Sequence, residues 1–484
     1  MDEIDHEIVI GLVSAVGTES QRVIDILLER LGRTGYNVEV VKISKDIIPQ
    51  LIHVKDSGKD EYKRISNLMD AGNEARQKCN SDSILAIGAA SYIYAKREKN
   101  DRGEPQASPR KAYIIDSVKR PEEVTALRSI YHSGFVLIGI HADYESRKRH
   151  LGPTRGILPE KAELLMQRDA AESQNKHGQQ VNKTFYLADF FVYFSQNNEQ
   201  LRSDIDRMVS LWFGNPYITP TFDEHAMFMA FAAALRSADM SRQVGAVVTK
   251  DSQILSTGAN DCPKAGGGLY WPIRNEYTRS IDDDFRGRDY TRENGDSNLY
   301  EQRRIIDKII NDSKTLNFGF DNDKLRILLE NSPLRDLTEY GRVVHAEMEA
   351  LLSCARNGLS TVNTTLYCTT FPCHNCAKHI IAAGVKRVVY IEPYPKSKAL
   401  DFHDEAIAKP SPESILKNSS LVHFDAFVGI GPRRFFDVYS MQLSSGYEIK
   451  RKDENGNKIS WKLDDSQLRL LMKPTIPPHL HLFL

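Results

Sequence analysis

The sequence has few cysteines and no long hydrophobic run. Its 484 residues include six cysteines, too few for a disulfide scaffold in a chain of this length. No stretch of about 18 apolar residues occurs, and the acidic N-terminus (Asp2, Glu3 and Asp5) lacks the basic and apolar segments of a secretory signal. These absences predict a cytoplasmic protein with no membrane partner.

Net charge is also nearly absent. The 64 Lys and Arg residues balance the 65 Asp and Glu residues, so no global field attracts a polyanion such as DNA. Any contact with nucleic acid must therefore be local. Hydrophobic residues make up 41% of the chain, as in ordinary globular proteins, and the length predicts two to four domains at about 150 residues each.

The N-terminal half alternates predicted strands and helices. A buried strand at residues 7–13 (EIVIGLV) is followed by a small-residue turn and then by apolar positions at helical spacing. Further apolar runs predict strands at residues 38–43, 84–87, 113–115 and 135–140. The pattern indicates a doubly wound α/β domain over residues 1–213.

The turn after the first strand lacks the lysine of a phosphate-binding loop. Against the pattern G-x-x-x-x-G-K-[ST], Glu19 and Ser20 stand at the places of the second glycine and the lysine. The turn either holds a nucleotide phosphate through its N–H groups or serves only as a tight turn, and phosphoryl transfer is not expected. The candidate nucleotide-binding residues are Gly11, Ser14, Gly17, Thr18, Glu19 and Ser20.

Residues 8–213 resemble nucleotide and dephospho-coenzyme A kinases, although the motifs are degenerate. The run YIIDSVKRPEEV resembles the strand after which such kinases carry an acidic residue, here Asp116. The run HADYESRKRHL, followed by Arg168 and Asp169, resembles their lid region. The resemblance implies a P-loop NTPase or kinase-like domain. We expect this domain to sense a nucleotide or an inhibitory RNA rather than to catalyse phosphoryl transfer.

A short linker separates the two halves of the chain. Residues 214–222 contain one glycine and two prolines, which are typical of a connection. After the linker, the pattern predicts a helix at residues 223–238 and two strands at residues 243–248 and 254–258. The second half therefore begins with a helix and a hairpin.

Four of the six cysteines lie between residues 354 and 376. Residues 345–347 (HAE) open one predicted helix, and residues 372–376 (PCHNC) open another after a predicted strand at 365–369. Helix N-termini favour the thiolate form of cysteine, which zinc requires. One histidine and two thiolates leave the fourth position of a tetrahedral zinc ion to water, as a catalytic site demands.

The two motifs are ambiguous separately and specific together. In this order they match the zinc deaminase signature H-x-E…P-C-x-x-C. We assign His345, Cys373 and Cys376 as zinc ligands and Glu347 as the group that transfers protons during attack on carbon 4 of cytosine. In this superfamily, the N–H of Ala346 would hold the 2-oxo group of the base. Cys354 and Cys368 are assigned to packing, and His374 to the pocket wall or the surface.

Residues 223–402 resemble the deoxycytidylate deaminase family. The matching pieces are LRSADMSRQVGAVV, STGAND, HAE and FPCHNCAKHIIAAGVKRVVYIEPYPKS. The resemblance implies a cytidine deaminase-like α/β/α domain, which we place at residues 223–405. It also implies that Asn260 contacts the deoxyribose and that Tyr394 lines the sugar and base pocket. A role for Asn260 as a turn residue alone remains open.

The whole layout resembles the bacterial anti-phage dCTP/dCMP deaminases. A charged insertion at about residues 264–340 and an extension at residues 406–484 depart from the simpler family. The resemblance implies an assembly of identical chains that drains the pool of free deoxycytidine nucleotides during phage infection. The sequence does not decide between dCTP and dCMP as substrate.

Two other classes of function remain as alternatives. A polynucleotide cytosine deaminase would share every zinc ligand but should present a basic groove with stacking aromatic residues. A non-enzymatic regulatory or RNA-binding module with a structural zinc would need a fourth protein ligand and would leave Glu347 without a role. The free-nucleotide deaminase explains the residues best.

Overall fold

The computed structural model describes most of the chain. The described residues are 7–99, 101, 103, 106–170, 172, 175–194, 198–282, 287–316, 318–319, 321–394, 397–408, 420–444 and 446–469. Parts of the predicted insertion and C-terminal extension, including residues 283–286, 409–419 and 470–484, lie outside the described residues. None of the helices in the described ranges has the length and apolar character needed to cross a bilayer.

Helices and strands alternate through the chain. The strands are β1 (Ile8–Ser14), β2 (Asn37–Lys42), β3 (Lys111–Asp116), β4 (Phe135–His141), β5 (Phe190–Tyr193), β6 (Gly245–Lys250), β7 (Gln253–Ala259), β8 (Ile273–Arg274), β9 (Ile281–Asp282), β10 (Thr365–Thr370), β11 (Arg387–Glu392), β12 (Ile407–Ala408), β13 (Val422–Ala426) and β14 (Gly429–Ile430). The α-helices are α1 (Ser20–Arg33), α2 (Ile48–Leu51), α3 (Glu61–Lys78), α4 (Ile84–Lys96), α5 (Pro121–Tyr131), α6 (Tyr144–Arg149), α7 (Pro159–Ala170), α8 (Val181–Phe185), α9 (Asn198–Trp212), α10 (Phe222–Ala234), α11 (Ser297–Thr315), α12 (Asn322–Glu330), α13 (Ala346–Arg356), α14 (His374–Ala382), α15 (Ala399–Phe402) and α16 (Phe435–Tyr439).

The first sheet has the order β14-β5-β4-β1-β3-β2. Strand β14 is antiparallel to β5, and the other neighbours are parallel. Successive side chains of β1 point to opposite faces of this sheet, so both faces are apolar. Helices α1 and α9 cover one face, and α4, α5 and α8 cover the other. This arrangement agrees with the predicted doubly wound architecture, and a P-loop identity for it stays a prediction.

One predicted strand of the N-terminal half is wrong. Residues 84–87 (ILAI) begin α4 instead, and the buried positions Ala86, Ala89, Ala90 and Ile93 continue at helical spacing. A short apolar run does not by itself distinguish a buried strand from a buried helix segment. The small residues after the run decide the outcome, because alanine has the highest helix propensity.

The second sheet has the order β12-β13-β11-β10-β6-β7. Strand β10 is parallel to β11 and antiparallel to β6, and β6 and β7 form a hairpin. The predicted strands at residues 243–248, 254–258 and 365–369 are confirmed within two residues at each end. The predicted helix at residues 223–238 ends four residues early, at Ala234.

The second sheet continues past residue 405, where we placed the end of the deaminase domain. Strands β12 and β13 belong to this sheet, and β13 pairs with β11. The chain then returns to the first half, where β14 joins the first sheet and Val438 and Leu468 pack in its core. The described part of the predicted extension, residues 406–484, is therefore divided between the two sheets.

A buried carboxylate joins the two halves. Glu224 of α10 is 1% exposed and accepts hydrogen bonds from Arg207, from the Tyr439 hydroxyl and from the Ile430 N–H. Residues of α10 also share a hydrophobic core with the first sheet. The two halves are consequently packed against each other and are not separated by a flexible tether.

Candidate metal centre

Two helix N-termini meet near the carboxyl end of β10. Helix α13 begins directly after His345, and α14 begins directly after Cys373, which follows β10 by three residues. Gly258 of β7 lies against the backbone of α13 at Ala346, where a Cβ would clash with the helix. The absence of a side chain at this glycine lets α13 pack closely on the sheet and brings His345 to the site.

The three predicted zinc ligands come together. Their ligand atoms all lie within 4.8 Å of one another. His345 Nδ1 lies 3.3 Å from Cys376 Sγ and 3.4 Å from Cys373 Sγ. Nitrogen and sulfur ligands of one tetrahedral zinc ion should lie about 3.5 Å apart, given the usual bond lengths. His345, Cys373 and Cys376 therefore fit one zinc ion, and no fourth protein ligand joins them among the described residues.

The surroundings of Cys373 favour its thiolate. Hydrogen bonds from Cys376 and His345 lower the pKa of the Cys373 thiol to about 3, although burial opposes this effect. The hydrogen bond with Cys373, together with burial, raises the pKa of Cys376 well above the ordinary thiol value. A zinc ion in place of the shared proton stabilises both sulfurs as thiolates.

Glu347 lies in the first turn of α13 and is 4% exposed. Burial raises the pKa of its carboxyl group above the ordinary value. A carboxyl group perturbed in this direction can accept and return a proton near neutral pH. Glu347 is not one of the grouped metal ligands. The arrangement places a buried carboxyl group apart from the metal ligands, and the proton-transfer role of Glu347 stays a prediction.

A cavity of about 610 Å³ opens in front of the metal centre. Its lining includes His345, Glu347 and Cys373 together with the three predicted substrate residues, Asn260, Ala346 and Tyr394. Ala346 is the first residue of α13, so its N–H has no acceptor within the helix. The Arg242 guanidinium lies over the Tyr394 ring, 5.0 Å from the ring centroid. The substrate contacts predicted for these three residues stay predictions.

The side chain of Asn260 is already bound to the backbone. Its oxygen accepts from the Val244 N–H at 2.7 Å, and its nitrogen donates to the Arg242 carbonyl at 2.8 Å. One amide hydrogen of Asn260 is left for another acceptor, such as a sugar oxygen. Asn260 therefore also positions the segment that brings Arg242 to the cavity.

Several residues that line this cavity are not among the predicted site residues. They are Arg242, Lys398, Asp289, Asp296, Asn298 and Thr338. The sequence could have indicated Arg242, since it lies in the family-like segment LRSADMSRQVGAVV directly before β6. The acidic and polar residues of the insertion had none, because only the folding of that segment onto the site brings them close.

The remaining cysteines near the motif are packed. Cys354 and Cys368 are fully buried, and the Cys354 thiol donates to Ser256 Oγ at 3.1 Å. His374 lines the cavity, and its ring packs edge-on against Phe402 at 5.8 Å. These positions agree with the packing and pocket-wall assignments.

The N-terminal candidate residues lie at two adjoining cavities of about 240 and 850 Å³. Ser14, Gly17, Thr18 and Ser20 line the smaller cavity, and Glu19 lines the larger. Gly17 has a φ of +89°, and a Cβ there would lie 2.8 Å from the Arg147 carbonyl oxygen. A side chain at this turn is therefore strained.

Gly11 does not belong with these residues. It lies in the middle of β1 and lines neither cavity. A Cβ at Gly11 would lie 2.9 Å from the Phe135 ring, so the glycine is explained by packing between neighbouring strands. The prediction that Gly11 contacts a nucleotide is corrected accordingly.

Asp169 accepts a hydrogen bond from one N–H group of the turn after β1. The Val16 N–H donates to Asp169 Oδ2 at 2.7 Å, and Lys119 Nζ contacts Asp169 Oδ1 at 3.0 Å and the Ser14 carbonyl at 2.8 Å. Lys119, which follows β3, thus brings a cation to a turn that has none at position 20. Asp116, at the end of β3, accepts a 3.5 Å hydrogen bond from Ser20 Oγ.

Comparison with known proteins relates the metal centre to one family. A family model described as "Cytidine and deoxycytidylate deaminase zinc-binding region" matches residues 220–392. The deoxycytidylate deaminase of Enterobacteria phage T4 is 29% identical over 197 residues, covering 41% of this chain and 86% of the phage protein. The deoxycytidylate deaminase of Mycobacterium phage D29 is 29% identical over 171 residues, covering 35% of this chain and 94% of that phage protein.

A crystal structure of dCMP deaminase from the cyanophage S-TIM5 in complex with dCMP and dUMP is 19% identical, with a TM-score of 0.24, and covers 44% of this chain and 100% of that chain. At that score the superposition adds nothing to the sequence relationship. Residues 220–392 therefore match the zinc-binding region of cytidine and deoxycytidylate deaminases, and this part of the chain is similar to the phage deoxycytidylate deaminases.

Proposed function

We propose that this protein removes the amino group from the cytosine base of free deoxycytidine nucleotides, dCMP, dCTP or both, to give deoxyuridine nucleotides. The observation that carries the proposal is the grouping of His345, Cys373 and Cys376 beside the buried Glu347 in one cavity. Among the described lining residues, the cations Arg242 and Lys398 suit the phosphate of a nucleotide. Phage relatives named deoxycytidylate deaminases support the same substrate class.

Each residue has a stated part in the reaction. His345 and the two cysteines would hold the zinc ion, which would lower the pKa of water at the site toward neutral. Glu347 takes a proton from the attacking water and delivers it to the ring and then to departing ammonia. The Ala346 N–H holds the 2-oxo group of the base. Asn260 and Tyr394 contact the sugar and the base.

The test of this function is the product formed by the purified, zinc-loaded protein. We expect uracil nucleotides from dCMP, dCTP or both, and much less product from cytidine and from single-stranded DNA supplied in parallel. The polynucleotide alternative predicts the reverse order. Equal or greater deamination of single-stranded DNA contradicts the proposal, and chromatography of the products with release of ammonia decides between the two.

We also propose a defensive role in phage infection. Conversion of deoxycytidine nucleotides to deoxyuridine nucleotides drains the pool that phage replication consumes, and the overall layout resembles anti-phage deaminases. The same resemblance favours a cytoplasmic location and an assembly of identical chains. Light scattering of the purified protein tests the assembly. Protection of infected cells should require Glu347, because the role depends on catalysis.

We further propose that the N-terminal cavities bind a nucleotide or RNA phosphate that regulates the deaminase. Among the described residues, eight Lys or Arg side chains line the two cavities, against four carboxylates, Glu19, Glu61, Asp116 and Asp169. The eight are Arg22, Lys42, Lys45, Lys55, Arg64, Arg76, Lys119 and Arg155. The excess of positive charge suits an anion, and crevices at the carboxyl ends of parallel strands are common ligand sites.

Replacing Lys45 and Lys55 together by Gln should weaken nucleotide binding by roughly three- to tenfold, since each exposed charge contributes about 0.2 to 1 kcal/mol. Lys63→Gln is the matched control, because Lys63 is exposed on α3 and lines neither cavity. Calorimetry on the full chain measures binding, with deamination and zinc content followed in parallel. Equal binding by the double variant and the control contradicts the proposal.

Gly17→Val tests the turn itself. The structure predicts that this variant distorts the loop. Gly17 has a positive φ, and a Cβ at this position would lie 2.8 Å from the Arg147 carbonyl oxygen. We expect full zinc content, no ATP hydrolysis before or after the change, and altered deamination or altered protection of infected cells. Robust ATP hydrolysis by the wild type, or an unchanged variant, contradicts a regulatory role.

A further inference from the structure

One wall of the zinc-site cavity comes from the charged insertion. The wall residues that line the cavity are Asp289, Asp296, Asn298, Pro333 and Thr338, all within residues 264–340. The rest of the lining comes from the segment before β6, from the ends of β7 and β10, from the starts of α13 and α14 with the residues just before α13, and from the loop after β11. A substrate that reaches Glu347 must therefore fit beside the insertion.

The wall is attached to the segment that carries the metal ligand. Arg342 donates to Asp289 at 2.6 Å and to the Gly287 carbonyl at 3.0 Å. Two residues later, Val344 and Asp261 exchange backbone hydrogen bonds of 3.0 and 3.3 Å. The position of the wall is thus fixed relative to His345.

The start of α11 is held against the returning chain. Asn298 Nδ2 and Gln302 Nε2 both donate to the Leu337 carbonyl at 2.7 Å. Ser297 Oγ donates to the Tyr340 carbonyl at 2.9 Å. These bonds make the N-terminus of α11 and residues 337–340 one structural unit.

The wall contributes carboxylates to the cavity and no cation among the described lining residues. Asp289 is paired with Arg342, while Asp296 caps α11 by accepting from the N–H groups of Asn298 and Leu299 at 2.8 and 3.0 Å. Channels that hold a nucleic-acid strand are lined by cations along the backbone. The Lys and Arg residues of the described lining, Arg242 and Lys398, lie on other segments.

We propose that this wall restricts the substrate to nucleotides with a free 3′-hydroxyl, with Asp296, whose charge no cation balances among the described contacts, opposing a 3′-phosphate. The inference rests on the proposed function. A base within a polynucleotide carries phosphodiesters on both the 5′ and the 3′ side of its sugar, whereas a free nucleotide carries phosphate on the 5′ side. Arg242 and Lys398 bind the 5′-phosphate, and a second phosphate on the 3′ side meets the Asp296 carboxylate.

Asp296→Asn separates the charge of this residue from its structural role, because Asn and Asp cap helices about equally well. The experiment measures kcat/KM of the zinc-loaded protein for dCMP, deoxycytidine 3′,5′-bisphosphate and a short single-stranded oligonucleotide with one cytosine. We expect the wild type to prefer dCMP over the bisphosphate by at least about tenfold, and Asp296→Asn to reduce that preference by roughly fivefold.

Asp321→Asn is the matched control. Asp321 caps α12 in the same insertion by accepting from the N–H groups of Asp323 and Lys324 at 3.1 and 3.2 Å, and it does not line the cavity. The control should keep the wild-type preference. Equal rates of the wild type on dCMP and on the 3′-phosphorylated substrates, or equal preferences in the two variants, overturn the inference alone. A zinc-loaded wild type that deaminates none of the substrates overturns the proposed function and this inference with it.

Discussion

Cys373→Ala and Cys376→Ala are each expected to lose both zinc and deaminase activity. The wild type should carry about one zinc per chain, because three protein ligands and water complete one tetrahedral site. Removing either thiolate leaves one histidine and one sulfur, which do not hold an open catalytic site. Metal analysis of the purified variants, beside a deamination assay, measures both losses.

Cys354→Ala is the control for nonspecific unfolding. Cys354 is fully buried in the same domain, but its thiol contacts Ser256 rather than the metal centre. This variant should therefore lower stability while it keeps zinc. Full zinc retention in both Cys373→Ala and Cys376→Ala would overturn the ligand assignment.

Glu347→Gln should keep zinc and fold while its turnover falls by at least about a hundredfold, the usual scale for loss of a general acid and base. Glutamine preserves the size of the side chain but cannot take a proton from water. The side chain is buried beside the ligands without being one of them, so metal binding does not depend on its charge. Steady-state rates with dCMP and dCTP, with zinc content measured on the same samples, check this expectation.

Glu349→Gln provides the comparison within the same helix. Glu349 is 7% exposed and pairs with Arg356 at 2.5 Å, away from the cavity lining. Its replacement should affect stability more than turnover. A near wild-type rate in Glu347→Gln would mean that another residue transfers the protons.

The sequence by itself determined the metal centre. His345 and Cys373 each stand directly before a helix, and Cys376 lies in the first turn of α14, so local signals place all three ligands and Glu347. Local periodicity also determined β6, β7 and β10 of the second sheet and β1 to β4 of the first sheet, but it did not identify β5. Such features depend on residues a few positions apart, which the order of amino acids displays directly.

Only the tertiary structure decided which distant segments meet. The insertion becomes a cavity wall because Arg342 and Asp289, 53 residues apart, pair beside the metal ligand. The described part of the extension is divided between two sheets because β13 pairs with β11 and β14 pairs with β5. The packing role of Gly11 likewise depends on Phe135 of the neighbouring strand. These contacts are set by burial and hydrogen bonding over long sequence separations, for which the local pattern holds no signal.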